Sequence, residues 1–414
     1  MHEQRTLNLV NILIVIFSST LLISGDSYKY AASILGIISL LYLPVTYKAK
    51  LSKEIKLILL SFSLYFLLTI TSLIFLKGDL SNADMPSRAI LGIIVFLFLY
   101  RYPPKLKWIL WGIILGSIAA GVVAVFYHYH YHTRAFLGNG YMVIQAGNIA
   151  MSLGLFSLIA AFHFFKENKT WSTAFALIAS MAAILASLLS LVRGSWIIAP
   201  IVLIGILIAN KDLFTIKIQL VLAASILMLA TLSYPIVEKR IDEAIKEVNT
   251  YLSEQKVTYT STSARLELWK SGIYNVYEKP LFGTGYNKAI ESKETLVGEG
   301  KVDKVALRFN RLHNNYLDEA STKGLLGLIV LLALFITPLQ LFKRRYQSHK
   351  FETNRNTNTL AQLGITHIIL VMGYCFTQNF INHHSGILFF LLFTIIFISA
   401  IYKYEQEALT GENK

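Results

Sequence analysis

A succession of long apolar blocks, separated mostly by short charged loops, constrains this chain more than any other feature. The blocks run at 8–24, 30–47, 57–76, 89–102, 108–127, 141–165, 171–191, 195–210, 214–234, 324–342, 360–380 and 385–402. Many approach the ~20 residues that cross a hydrocarbon core of about 30 Å. Only helices or closed barrels satisfy their backbone polar groups in lipid. A barrel would show ~10-residue segments of alternating polarity, and none is visible. The expected fold class is therefore all-α, a polytopic integral membrane protein with about 12 transmembrane helices. Composition agrees: 55% of residues are hydrophobic and 15% charged, where a soluble chain carries about a quarter charged. The first block follows a short charged N-terminus, much like a signal peptide. It lacks an obvious small-residue cleavage site and is read as a retained first helix. The fourth block is short, and the seventh and eighth are parted by little more than Val192-Arg193-Gly194.

The net charge of +14 would suit nucleic acid, but most Lys and Arg lie in short loops between apolar blocks, so no nucleic-acid partner is expected. With the N-terminus inside, the inside loops carry Lys48, Lys50, Lys53 and Lys56, then Arg101, Lys105 and Lys107. Lys166, Lys169, Lys211 and Lys217 follow, then Lys343, Arg344, Arg345, Lys350 and Arg355. The opposite loops are poorer, with Lys29, Lys77, Arg88 and Arg134. The positive-inside rule then makes both termini cytoplasmic. One segment breaks the pattern of short loops. Residues 235–322 form a hydrophilic insert on the outer face, and loops that long are functional or disordered. This one repeats apolar residues at helical spacing in Ile236–Ile245 and Arg265–Ile273, with Ser and Thr suited to an N-cap ahead of the latter. The expected organisation is spans 1–9 over 1–234, a periplasmic helical subdomain over 235–322, and spans 10–12 with a cytoplasmic tail over 323–414. Cys375, the single cysteine, falls inside an apolar block and excludes an intramolecular disulfide.

Several familiar reagents are missing: no Walker A loop, no dinucleotide-type glycine motif, no His-Glu-x-x-His and no Asp-x-Asp pair. An outward-facing site has no access to cytoplasmic nucleotides, so any donor should arrive activated and membrane-bound. Arg193 stands between two apolar blocks, where an Arg is costly and marks a functional site by default; the alternative is a snorkelling helix-end side chain. Arg265 begins an amphipathic helix, where a cation opposes the macrodipole and a bound anion would explain it; the alternative is a solvated Arg. His313, in Arg308-Phe309-Asn310-Arg311-Leu312-His313-Asn314, is able to take a proton near neutral pH, or merely caps a helix. Topology puts all three on one side of the membrane, with Arg134 a further candidate anion contact. His128, His130 and His132 alternate with tyrosines, as a metal tract or an interfacial aromatic belt; the belt is favoured because no carboxylate or thiol lies close. His383 and His384, beside Asn379 and Asn382, are left unassigned.

At Leu312-His313-Asn314, followed by Glu319-Ala320-Ser321-Thr322-Lys323-Gly324-Leu325-Leu326-Gly327, the chain resembles the O-antigen ligase family. That family sits within a larger group with O-antigen polymerases and protein O-oligosaccharyltransferases. Thr262-Ser263-Ala264-Arg265-Leu266, Arg193 and Arg240-Ile241-Asp242-Glu243-Ala244 support the resemblance, as does the layout of spans around a late loop. It implies transfer of a polysaccharide from undecaprenyl diphosphate to a lipid A–core oligosaccharide, at the periplasmic face of a bacterial inner membrane. The reaction it implies is an inverting single displacement without ATP, cofactor or metal. In that reading His313 is the base, Arg193 and Arg265 hold the departing diphosphate, and Asn314 orients the imidazole. Arg308 and Arg311 meet core phosphates. A polymerase or protein oligosaccharyltransferase would use the same donor. A lipid-linked glycan transporter would instead place paired charges at the bilayer midplane, and the helix middles here are nearly free of ionisable groups.

Overall fold

A computed structural model describes residues 2–254, 260–349 and 354–410. It is a bundle of helices, and among the described residues it contains no strand. The helices are α1 (His2–Thr20), α2 (Ser27–Thr46), α3 (Lys53–Phe75), α4 (Asp84–Arg101), α5 (Leu106–Tyr131), α6 (Val143–Lys166) and α7 (Thr170–Leu189). There follow α8 (Arg193–Ala209), α9 (Ile216–Glu254), α10 (Ser261–Glu278), α11 (Tyr286–Gly298), α12 (Asn315–His349), α13 (Arg355–Thr377) and α14 (His384–Thr410). Among the described residues, nine are long and apolar enough to cross a membrane, and Arg193–Ala209 and Ile216–Leu229 are shorter apolar helices. The chain is a multi-pass membrane protein.

The two weak places in the sequence reading have structural explanations. The short fourth block is lengthened at its start by a 3-10 turn, Leu80–Ala83, and by the first turn of α4. The seventh and eighth blocks are separate helices, because Leu191 turns the chain with a left-handed φ of 58°.

Helix α6 is the centre. It is buried on every side, which is what an all-round apolar helix requires. Small residues let its neighbours approach: a Cβ added at Gly147 would strike Ser190 and Val192, and one at Gly154 would strike Ile184 of α7. Polar side chains cross between helices, as in Ser152 Oγ to the Tyr374 hydroxyl at 3.0 Å and Ser117 Oγ to Ser157 Oγ at 2.8 Å. With α13 and α14 also largely buried, the remaining helices pack round these three.

Two elements depart from the expected boundaries. Residue 234 is not the end of a helix: α9 runs unbroken for 39 residues through it. The apolar spacing of Ile236–Ile245 continues in helical phase, and extending a helix costs less than starting a new one. Helix α12 is kinked at Gly324 (φ 68°, ψ −165°), so the tenth apolar block is the second limb of a longer element. The segment between α10 and α11 fills the kink. Thr284 and Gly285 N–H donate to the carbonyls of Ser321 and Thr322, and Leu325 and Leu326 N–H donate to Pro280 and Leu281. Those are the backbone groups a kink leaves unpaired. Helices α10 and α11 also share a small core of their own, formed by Leu268, Leu296, Val302, Ala306 and Leu312.

The up-and-down order separates the two ends of the bundle. Lys48, Lys53, Arg101, Lys105, Lys166, Lys211 and Arg345 gather at one end, tied there by Arg345 to Glu54 at 2.9 Å and to Glu405 at 2.6 Å. Arg134, Arg193, Arg265 and His313 lie at the other. Lys350 lies outside the described residues.

Candidate active site

The α7–α8 turn aims the first arginine. Arg134, just beyond α5, donates from Nε (3.0 Å) and Nη2 (2.8 Å) to the carbonyl of Ser190. That fork on a helix-terminal carbonyl fixes the turn, and α8 opens with Arg193. Arg193 donates to Glu247 at 3.2 Å and lies 3.5 Å from Glu243, both on α9. Thr262 also donates to Glu247. A capping box of Thr260 and Ser263 starts α10 and places Arg265 in its second turn. Arg265 makes no hydrogen bond or ion pair among the described residues. Burial lowers its pKa and the nearby Arg193 adds to this, against an opposing pull from Glu247. Arg134, Arg193 and Arg265 line one cavity of about 100 Å³, together with Ser261 and Thr377. A half-buried, unpaired guanidinium beside a second one is the environment in which an anion gains most.

His313 stands beside this cavity. Leu312 is locked into the small α10–α11 core, pressed against Gly272, and the next residue adopts φ +51°. A non-glycine residue held there is strained, and such strain clusters at functional sites. Thr377 lines the arginine cavity, and the adjoining Gln378 lies 2.7 Å through Oε1 from His313 Nδ1. With the amide oxygen as acceptor, Nδ1 carries the proton and Nε2 keeps its lone pair; this tautomer is assigned from the hydrogen-bond network. Burial lowers the His313 pKa, the bond to Gln378 partly offsets this, and Arg265 lowers it again. The ring is therefore neutral at physiological pH. Gln378 Nε2 lies 3.3 Å from His383 Nε2, and burial pushes His383 down to about 4.

The other expected residues take different positions. Asn314 does not hold the imidazole: it is buried, and its Oδ1 accepts from the N–H groups of Tyr316 and Leu317, capping α12. Arg311 is committed within the protein, donating to Asp318 at 3.0 Å and Asn82 at 2.7 Å and stacking 4.4 Å over Tyr286. Arg308 is exposed at the end of the 3-10 turn Lys304–Arg308, and it lines neither the arginine cavity nor the neighbouring one beside Arg311. His130 stacks on Phe126 at 5.1 Å and His128 pairs with the Thr133 carbonyl, so that tract packs among aromatic rings.

Comparison with known proteins bears on the same region. A family model described as O-antigen ligase matches residues 178–332, a stretch that holds Arg193, Arg265 and His313. A protein of Escherichia coli named O-antigen ligase is 27% identical over 262 residues, covering 62% of this chain and 60% of its own. The family-model match places residues 178–332 in the O-antigen ligase family. A Haemophilus influenzae protein, named only as uncharacterized, is 34% identical over 403 residues, 96% of this chain and 99% of its own. The O-antigen ligase match stops within α12, so Gln378 and His383 lie beyond it. Sequence reasoning passed over Gln378 because a neutral amide at a helix end carries no charge or spacing that sets it apart.

Proposed function

We propose that this protein transfers a glycan from undecaprenyl diphosphate to the lipid A–core oligosaccharide, as a multi-pass enzyme of the bacterial inner membrane with its site on the periplasmic face. Both termini are then cytoplasmic, and the α9–α11 region, broadly 235–322, is the periplasmic part. One observation carries the reading: Arg265, unpaired among the described residues, and a neighbouring Arg193 share a cavity whose wall leads, through Thr377 and Gln378, to a neutral histidine.

In this mechanism the donor diphosphate enters the arginine cavity. Arg265 has its donors available, while Arg193 exchanges its loose contacts with Glu243 and Glu247 for phosphate oxygens; at 3.2 and 3.5 Å these contacts are longer than a strong charge-assisted bond. An acceptor hydroxyl gives its proton to His313 Nε2 as its oxygen bonds to the anomeric carbon. The bond from that carbon to the diphosphate breaks, and its electron pair stays on the departing phosphate oxygen. Negative charge gathers there in the transition state, where aimed donors are worth about 3–4 kcal/mol each. The displacement occurs in one step and inverts the anomeric centre, while the apolar spans guide the polyprenyl chain.

The test is a transfer assay with purified protein and a lipid-linked donor, offered in turn lipid A–core, a second lipid-linked glycan and a protein acceptor. Transfer to lipid A–core alone is expected. Preference for a lipid-linked glycan would replace the reading with a polymerase, and for protein with an oligosaccharyltransferase.

A further inference from the structure

A second cavity, of about 270 Å³, lies beside the same loop. Its walls come from the turn before α4 (Asp79, Asn82), from α11 (Tyr286, Lys293), from Asn310 and Arg311, and from the start of α12. We propose that this cavity seats the acceptor as a neutral, hydroxyl-rich sugar ring, delivering its hydroxyl to His313 from the side opposite the diphosphate. The inference rests on the transfer reading above and adds where, and by what chemistry, the acceptor is recognised.

Charge separates the two cavities. The first has three arginines on its walls and no carboxylate among its lining residues. The second has Asp79 and Asp318 against Lys293 and Arg311, a formal charge of zero. Its cations are also spent within the protein: Arg311 on Asp318 and Asn82, and Lys293, buried, on the Phe309 carbonyl. An anion entering here would meet a carboxylate for every cation and no free guanidinium. A polyol would meet carboxylate oxygens that accept and amide groups that both donate and accept. The volume falls just under the range of ~300–1,000 Å³ usual for ligand clefts, which suits a terminal sugar rather than a chain.

Position supports the same assignment. Leu312 lines the second cavity, and the next residue is His313. Arg265, which lines the first cavity, and Asp318 and Lys293, which line the second, all act electrostatically on the imidazole. In this arrangement a hydroxyl presented from the second cavity and an anomeric carbon presented from the first meet at the imidazole. Arg311 then acts as a positioning residue, bracing the wall through Asp318, Asn82 and Tyr286 rather than binding phosphate.

The test measures binding of a dephosphorylated core oligosaccharide, freed of lipid A, to the detergent-purified full-length protein by calorimetry. Ala289→Trp fills the cavity from α11, and Asn310→Ala removes an exposed amide from its rim with little threat to folding. The wild type should bind; Ala289→Trp should weaken binding about tenfold or more, and Asn310→Ala about tenfold, the scale of a lost neutral hydrogen bond. Saturating inorganic pyrophosphate should leave binding unchanged. Absence of wild-type binding, wild-type affinity in both variants, or displacement by pyrophosphate would each overturn the assignment. A parallel transfer assay separates the two levels. Binding of this pattern without transfer removes the ligase reading and keeps the sugar site, while transfer without this pattern removes the sugar site alone.

Discussion

A histidine serves as a base only when one ring nitrogen keeps its lone pair and the ring is neutral at working pH, and both conditions trace to neighbours of His313. Gln378 accepts from Nδ1 and so leaves the lone pair on Nε2, the proposed base. Burial, reinforced by Arg265, holds the ring below the ordinary histidine range, so the acidic limb of kcat/KM should fall below about pH 6.5. Gln378→Glu puts a carboxylate against Nδ1, favours the charged ring, and should move that limb upward; pH–rate profiles over about pH 5–8 check this. A limb that stays in place would show that Gln378 does not act through His313. Arg193 stood out in the sequence as a cation between apolar blocks. The proposed roles of Arg265 and His313 came instead from the resemblance to O-antigen ligases, because a solvated Arg and a capping His fit their local sequence as well; the structure sets Arg265 in the second turn of α10. Gln378 is unremarkable in its local context, and only folding brings it to residue 313.

At the scale of elements, the kink in α12 holds the site together. Gly324 has φ +68°, and an added Cβ would drive into the backbone of Leu281 and Phe282. Gly324→Ala should therefore loosen the docked 280–285 segment and cost ~1–3 kcal/mol, read as a fall in thermal midpoint in detergent. Directly before the kink lies a fully buried ion pair, Glu319 with Lys323, whose Nζ also donates to Thr69 at 3.0 Å. Removing one partner strands a buried charge, so Lys323→Met alone should cost ~3–5 kcal/mol, and adding Glu319→Leu should restore much of it. Equal losses in the single and double variants would contradict that. The apolar blocks showed where helices lie because burial in lipid is recorded residue by residue. They did not show that α9 passes 234 unbroken or that α12 begins before its apolar limb, because polar residues extend a helix without leaving an apolar signature.

For the whole molecule, the bundle gathers its loop cations at one end and Arg134, Arg193, Arg265 and His313 at the other. In a Cys375→Ser background, Lys77→Cys should label with a membrane-impermeant maleimide in spheroplasts, and Lys48→Cys only after lysis. The reverse pattern would turn the site toward the cytoplasm. The central claim is that the Arg265 guanidinium and the neutral His313 imidazole act on a single transfer. It is tested most directly by kcat for glycan transfer in Arg265→Ala and His313→Ala, each verified as folded and membrane-inserted. Loss of ~10²–10³-fold is predicted for the arginine and ~10²–10⁴-fold for the histidine. Turnover at the wild-type rate by either variant would contradict the account.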